Sequence, residues 1–270
     1  MKCLTLNAHS FRENLPLKRL FDLAEHILEV DYDIICLQEI NQRLETAVAS
    51  DLENFTALSD FPKVHEDNYA LYLVNYLKKH GRTYYWSWVY NHIGYDEYNE
   101  GVAILSKTPF EAQDLLVSNR DDEYDYNTRR VLIATTTIEN KTITFVNVHL
   151  SQEGTGFEEE WHRLEKALAQ KPKPYILLGN FNAATHSEGY QLVINSPLHL
   201  QDCHAIAADS RGDFTVLETL SDGNERELMM DHVFVSRDVT VNTSYVSFDG
   251  GHSPIVSDHY GLAVDISLED

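Results

Sequence analysis

The stretch Tyr175-Ile176-Leu177-Leu178-Gly179-Asn180-Phe181-Asn182 carries the pattern on which the fold turns. Residues 175–179 read as a buried strand. The run then ends on polar side chains, Asn180 and Asn182, for which a core strand has no use. The same ending recurs elsewhere. Leu4-Thr5-Leu6 stops at Asn7, Ile34-Ile35-Cys36-Leu37-Gln38 at Glu39, and Phe145-Val146-Asn147-Val148 at His149. Late in the chain come Asp231-His232 and Ser257-Asp258-His259. Sheets present such ends together on one edge, where ligands commonly sit.

Outward from these ends, strand and helix signals mix through the whole chain. Residues 2–7 read as a strand. A helix follows with Pro16 near its start and Leu17, Leu20, Phe21, Ala24, Ile27 and Leu28 at the 3.6-residue period. Residues 33–39 suit a buried strand, and Asn68 can cap a second helix reaching about residue 79. Strands are expected at 84–90, 101–106, 131–138 and 142–150, a helix from about 157 to 170, and closing strands at 230–236, 240–248 and 260–266. No repeat, low-complexity tract or Ser/Gly linker interrupts the order. Residues 1–270 are therefore expected to form one α/β domain, with two packed sheets flanked by helices. The least regular segments are about 91–100, 121–128 and 249–258, and loops carry function.

Composition narrows the function. Lys+Arg 21 against Asp+Glu 43 gives a formal charge of −22. Such a surface repels DNA and RNA unless a cation or a local basic patch intervenes, so nucleic acid is not expected as a partner. At 43% hydrophobic and 24% charged, the chain can bury a sizeable core. No apolar run reaches the roughly 18 residues of a membrane helix. Cys3, Cys36 and Cys203 are odd in number and form no C-x-x-C, so structural zinc and a disulfide framework are not expected. The opening residues lack a secretory signal, and a cytoplasmic location is expected.

Taken in order from Leu4-Thr5-Leu6-Asn7 to Ser257-Asp258-His259, these ends resemble the endonuclease/exonuclease/phosphatase superfamily. That group contains DNase I, apurinic endonucleases, sphingomyelinases and inositol-phosphate phosphatases. Each motif is short, but the ordered set spans essentially the whole chain. The resemblance implies a DNase I-like fold, a four-layer α/β sandwich with two central mixed β-sheets flanked by helices. It also implies metal-assisted hydrolysis of phosphate esters, usually with Mg²⁺ and with Mn²⁺ as a substitute. Leu6-Asn7-Ala8-His9-Ser10, the segment 99–107 and Ser187-Glu188-Gly189-Tyr190 are most similar to a small bacterial group that includes maltose 6′-phosphate phosphatases.

The resemblance assigns roles position by position. Glu39 is the metal-ligand candidate, because Mg²⁺ takes hard oxygen donors and keeps several waters. Asp258 helps bind the metal, and Asn7 adds a carbonyl oxygen or orients a water. His259 contacts the scissile phosphate and Asp231 holds its ring. His149 is the second imidazole, with Glu100 as its orienting carboxylate. Two oriented histidines can neutralise phosphate charge and move protons near neutral pH. Asn182 donates to a phosphate oxygen. His9 and His252, in loops beside the motifs, are candidates for phosphate or substrate contact, and Arg129 could bind phosphate in a bidentate way. The aromatic run 84–88 reads first as a strand and second as a stacking face for a sugar. The Glu158-Glu159-Glu160 run suits a helix N-terminus.

Position 180 departs from the pattern. The family has Gly-Asp-Phe-Asn where this chain has Gly179-Asn180-Phe181-Asn182. The Asp orients, deprotonates or electrostatically stabilises the attacking water, whereas an amide carries no charge and accepts no proton usefully. An introduced inactivating substitution, a natural loss of activity, and water activation by the metal alone all remain open. The expected activity is a metal-dependent phosphatase acting on a small phosphorylated molecule such as a sugar phosphate. A phosphodiesterase on the same fold and a binding protein that keeps the pocket are the alternatives.

Overall fold

The computed structural model describes residues 1–58, 62–138 and 140–268. Its first half runs β1 (Lys2–Asn7), α1 (Pro16–Val30), β2 (Ile34–Arg43), α2 (Tyr69–Lys79), β3 (Tyr85–Gly94), β4 (Tyr98–Ser106), β5 (Glu111–Leu116) and β6 (Arg130–Ile138). There follow β7 (Lys141–His149), α3 (Phe157–Leu168), β8 (Tyr175–Asn180), α4 (Glu188–Ile194), β9 (Leu200–Asp202), α5 (Cys203–Ile206), β10 (Asp209–Arg211), β11 (Val216–Thr219), β12 (Glu225–Leu228), β13 (Asp231–Ser236), β14 (Val239–Ser247) and β15 (Gly261–Leu268).

Two large sheets form, ordered β10-β14-β15-β1-β2-β4-β3 and β5-β6-β7-β8-β13-β9. Both are mixed. In the first sheet β1 and β2 are parallel, in the second β7 and β8 are parallel, and most neighbours are antiparallel. A parallel pair needs a long crossover, and α1 and α3 supply the two. Each crossover leaves its two strands pointing the same way. Asn7 therefore ends beside Gln38, and His149 beside Asn180.

The layers follow from side-chain alternation. Cys3, Ile34, Cys36, Phe145, Ile176, Leu178 and Val233 fill the space between the sheets. The intervening Leu4, Leu6, Ile35 and Leu37 face α1 and α2 on one outside, while Tyr175, Leu177 and Phe234 face α3 and α4 on the other. Strands covered on both faces read as unbroken apolar runs, which is why 34–37 and 175–178 stood out. The result is the expected four-layer α/β sandwich. The inner layer is not wholly apolar. Gln38 donates through Nε2 to Asn147 Oδ1 at 2.6 Å, and Asn147 Nδ2 donates to the carbonyls of Leu37 (2.9 Å) and Ala103 (2.7 Å) on the opposite sheet.

Two expectations need correction. Segment 91–100 is not irregular: β3 continues to Gly94 and β4 begins at Tyr98. Glu97 N bonds Gly94 O, and Tyr95 and Asp96 both have φ 56, a type I′ hairpin turn. The aromatic run offers no sugar face either, since Tyr84, Trp86 and Trp88 are buried in the layer under α2.

Candidate functional site

The strand ends meet at a cleft of about 580 Å³ along the seam between the sheets. Glu39, Glu100, Arg129, His149, Asn180, Asn182 and His259 line it. Asp231 stands behind His259, fully buried. Asn7, His9 and Asp258 lie to one side and are not among the lining residues.

Glu39 reaches the cleft through a bulge. The β2–β4 register shifts between Leu37 and Ile40, and Glu39 has φ 53. A positive φ is costly for a non-glycine residue, and the surroundings hold it there. Asn7 Nδ2 donates to Glu39 Oε1 at 2.8 Å, and Ser10 Oγ donates to Glu39 O. Burial and the nearby Glu100 raise the Glu39 pKa, and the Asn7 bond opposes them. Asn7 Oδ1 accepts from His9 N at 3.2 Å. Asn7 thus orients Glu39 through its nitrogen, with its carbonyl already engaged.

His9 does not face the cleft. Its Nδ1 lies 2.9 Å from Glu13 Oε1 and 3.6 Å from Asp258 Oδ1, so the expected substrate contact is replaced by a carboxylate cluster. Ligand atoms of His9, Glu13 and Asp258 all lie within 4.8 Å of one another. Asp258 is tied down by its backbone N–H to Glu13 Oε1 at 3.0 Å. Ser257 Oγ accepts from His259 N at 3.3 Å and donates to Asn7 O at 2.7 Å. Carboxylates with one imidazole are a donor set that suits a hard or borderline divalent cation. By their chemistry His9, Glu13 and Asp258 fit the expected metal, and Glu39 lies outside this cluster, on the cleft itself.

His259 Nδ1 donates to Asp231 Oδ2 at 2.8 Å, because a carboxylate only accepts. Burial lowers the His259 pKa, but the Asp231 charge and hydrogen bond, with Asp258 and Glu39, outweigh it and carry the ring to about 9. His259 is therefore an imidazolium at neutral pH, with Nε2–H free of Asp231. His149 is its opposite. Burial and then Arg129 push its pKa well below the ordinary value, so the ring is neutral. Arg129 Nη1 lies 3.5 Å from His149 Nδ1 and can only donate, which puts the His149 proton on Nε2, 3.9 Å from Glu39 Oε1.

Glu100 does not orient His149. Its Oε1 lies 3.3 Å from Nε2 of His92, the residue opposite it on β3, while His92 Nδ1 donates to Thr128 O. His92 went unassigned in the sequence because its partner is set by a hairpin register shifted between Tyr90 and His92. Tyr95, Tyr126, Asn127, Gln152 and Thr155 also line the cleft. The sequence signal for Tyr95, Tyr126 and Asn127 was the loop character expected of 91–100 and 121–128, and Gln152 and Thr155 had none. Glu160 does more than start α3: it accepts from both Ser151 N and Ser151 Oγ at 2.7 Å, fixing a wall residue of the cleft.

At the end of β8, Gly179 has φ 154, and a Cβ there would lie 2.0 Å from Val148 O. Only glycine lets β7 and β8 approach so closely just before the site. Asn180 Oδ1 then accepts from Asn182 N at 2.8 Å, closing an Asx turn. That bond fixes the amide: its oxygen is turned into the chain, and the remaining atom, Nδ2, is a donor. Asn182 (φ 51) sends one amide hydrogen to Leu150 O at 2.7 Å, leaving its second for a ligand.

A family model for the endonuclease/exonuclease/phosphatase family matches residues 4–259. Among solved structures, an endonuclease/exonuclease/phosphatase family protein from Leptotrichia buccalis C-1013-b superposes with a TM-score of 0.88 at 26% identity, over 99% of this chain and 100% of that one. A mannosyl-6-phosphatase of Bacteroides thetaiotaomicron VPI-5482 shares the fold with a TM-score of 0.66 at 16% identity, over 99% and 100% of the chains. The human Nocturnin catalytic domain with bound sulfate does so at 0.68 and 16%, over 99% and 94%. No curated protein matches this chain.

Proposed function

Since the chain belongs to the endonuclease/exonuclease/phosphatase family, we propose that it is a Mg²⁺-dependent phosphomonoesterase site for a small phosphorylated molecule, a sugar phosphate in particular. The observation that carries this reading is the convergence of Glu39, Arg129, His149, Asn182 and an Asp231-bound His259 on one cleft. The divalent ion, when bound by Glu39, Asp258 and their neighbours, polarises a phosphoryl oxygen and lowers the pKa of water. Mn²⁺ should substitute. Arg129, the free hydrogen of Asn182 and His259 Nε2–H donate to the non-bridging oxygens, whose charge grows as water attacks phosphorus in line. His149 holds its single proton on Nε2, and Asp231 keeps His259 oriented.

A small substrate fits better than a nucleic acid. A chain of charge −22 gains little from counterion release on DNA. One protein of this fold is a mannosyl-6-phosphatase, so the architecture serves a sugar phosphate there; maltose 6′-phosphate is a candidate here. Among the described residues no helix is long and apolar enough to cross a membrane. A cytoplasmic location is proposed on the substrate class alone.

Asn180 supports a second reading alongside the first. Its oxygen already accepts from Asn182 N and an amide takes up no proton usefully, so on this reading the protein as it stands binds phosphate esters and turns them over slowly. The deciding experiment is phosphate release by the Asn180→Asp variant from sugar phosphates, nucleotides and plasmid DNA, with Mg²⁺ or with EDTA. Release from a sugar phosphate, abolished by EDTA and without plasmid nicking, is the expected result. Efficient nicking would move the activity to a nuclease.

A further inference from the structure

The floor of the cleft fixes where a phosphate sits, and the rim beyond it must meet whatever the phosphate is attached to. Two tyrosines stand there, from different parts of the chain. Tyr95 is 57% exposed and Tyr126 69% exposed, yet both line the cleft. Exposed aromatics scattered singly need no explanation. These two are paired on one opening, and each is held on restrained backbone.

Tyr95 occupies a turn position with φ 56, where a glycine or asparagine is the favoured residue. A bulky side chain there costs the turn something and contributes nothing to it. Its ring is braced instead by Arg12, whose guanidinium carbon lies 3.9 Å from the ring centroid. Tyr126 sits in a loop tied by its neighbours: Asp125 Oδ1 accepts from Asn127 N at 2.9 Å, Thr128 N bonds Asp125 O at 2.8 Å, and Thr128 Oγ1 bonds Asp122 O at 2.6 Å.

We propose that Tyr95 and Tyr126 are the walls of a leaving-group site and that the group they hold is an uncharged saccharide ring. The inference rests on the phosphatase reading above. A pyranose offers two chemistries, an apolar C–H face and a rim of hydroxyls that both donate and accept. Tyrosine rings match the first, and Asn127, Gln152 and Thr155 on the same cleft match the second. Charge argues against an oligonucleotide or a nucleoside di- or triphosphate. The loop under Tyr126 carries Asp121, Asp122, Glu123 and Asp125. Arg130 pairs with Asp121 and Arg120 with Asp125, while Asp122 and Glu123, which line a second hollow on the same loop, add negative charge that disfavours further phosphates.

The full chain with Mg²⁺, slowed by Asn180, is suited to calorimetric titration. The probes are glucose 6-phosphate, the acyclic glycerol 3-phosphate, and AMP. Glucose 6-phosphate should bind roughly tenfold or more tightly than glycerol 3-phosphate. Tyr95→Ala and Tyr126→Ala should each remove most of that ratio by weakening the sugar ester, while Tyr95→Phe and Tyr126→Phe should keep it. If both esters bind and neither tyrosine affects their ratio, the aromatic walls are wrong and the phosphatase reading stands. If AMP binds as tightly as glucose 6-phosphate with the same dependence on the tyrosines, the saccharide is wrong. Failure of both monoesters to bind overturns the phosphatase reading and the walls with it.

Discussion

At the scale of single residues, chemistry turns on which atom each side chain presents. Asn180 spends its oxygen on Asn182 N. An Asp at 180 would keep that turn with one oxygen and present the other as an acceptor. The exchange is nearly isosteric, so melting temperature should barely move. A positioned general base is worth roughly 10²–10⁴-fold, and Asn180→Asp should raise kcat at least about 100-fold in steady-state assays with Mg²⁺ on one substrate. Equal kcat values would assign water activation to the metal alone. Glu39→Gln should weaken Mg²⁺ binding, read by calorimetry, while circular dichroism stays unchanged; full activity in EDTA would remove the metal altogether. The sequence named Glu39, His149 and Asn180 because each ends an apolar run, whereas Glu100 and Arg129 stand before the expected strands and came from the family pattern and from side-chain charge. It misplaced the partners of Glu100 and His9. Pairing across a shifted hairpin, and a backbone in which His9 has φ 48 and Ser10 φ 44, leave no periodic trace.

Among the elements, the long strands and α1, α2 and α3 were legible because burial imposes period on them. β5, α4 and the short pieces from β9 to β12 were not. They are brief or lie at the margins, where half-exposed positions blur any alternation. Asn147 belongs to this scale, since it fastens β7 to strands of the other sheet. Asn147→Leu would take a donor from each of the Leu37 and Ala103 carbonyls and leave one Gln38 amide hydrogen unpaired in the interior, its other bond to Thr5 Oγ1 remaining. Each unsatisfied buried group costs about 1–3 kcal/mol. Urea denaturation should show a loss of about 3 kcal/mol or more. A loss below about 1 kcal/mol would mean that water or local shifts replace these bonds.

For the molecule as a whole, histidines held below their ordinary pKa weaken it toward acid, among them the half-buried His26 and the buried His149 and His232. His26, bonded to Tyr32 Oη and Ser247 Oγ and edge-on to Phe248, has its pKa lowered by burial, with Glu29 opposing. His232 donates through Nε2 to Ala183 O. Burial lowers its pKa too, against the charges of Asp202 and Asp231. Above the unfolded value of about 6.5 both states are neutral and these groups add no pH dependence. Below it the unfolded chain takes up protons first, so their contribution is lost as pH falls. Between pH 7.5 and 5.5 His26→Gln should lose less melting temperature than the parent chain, while His259, held at about 9, works in the opposite sense in both. An unchanged slope in His26→Gln would show that His26 is protonated without penalty in the folded state.

The tie through Asn147 has a consequence for how such a scaffold changes its preferences. An apolar interface resists being pulled apart but is nearly indifferent to sliding, since burial has no direction. Hydrogen bonds have direction. With the two halves of the chemistry carried on opposite slabs, three short bonds beneath the seam act as a dowel and forbid slip between them. The loops above can then be lengthened, recharged or exchanged, giving new appetites to an unaltered reacting centre.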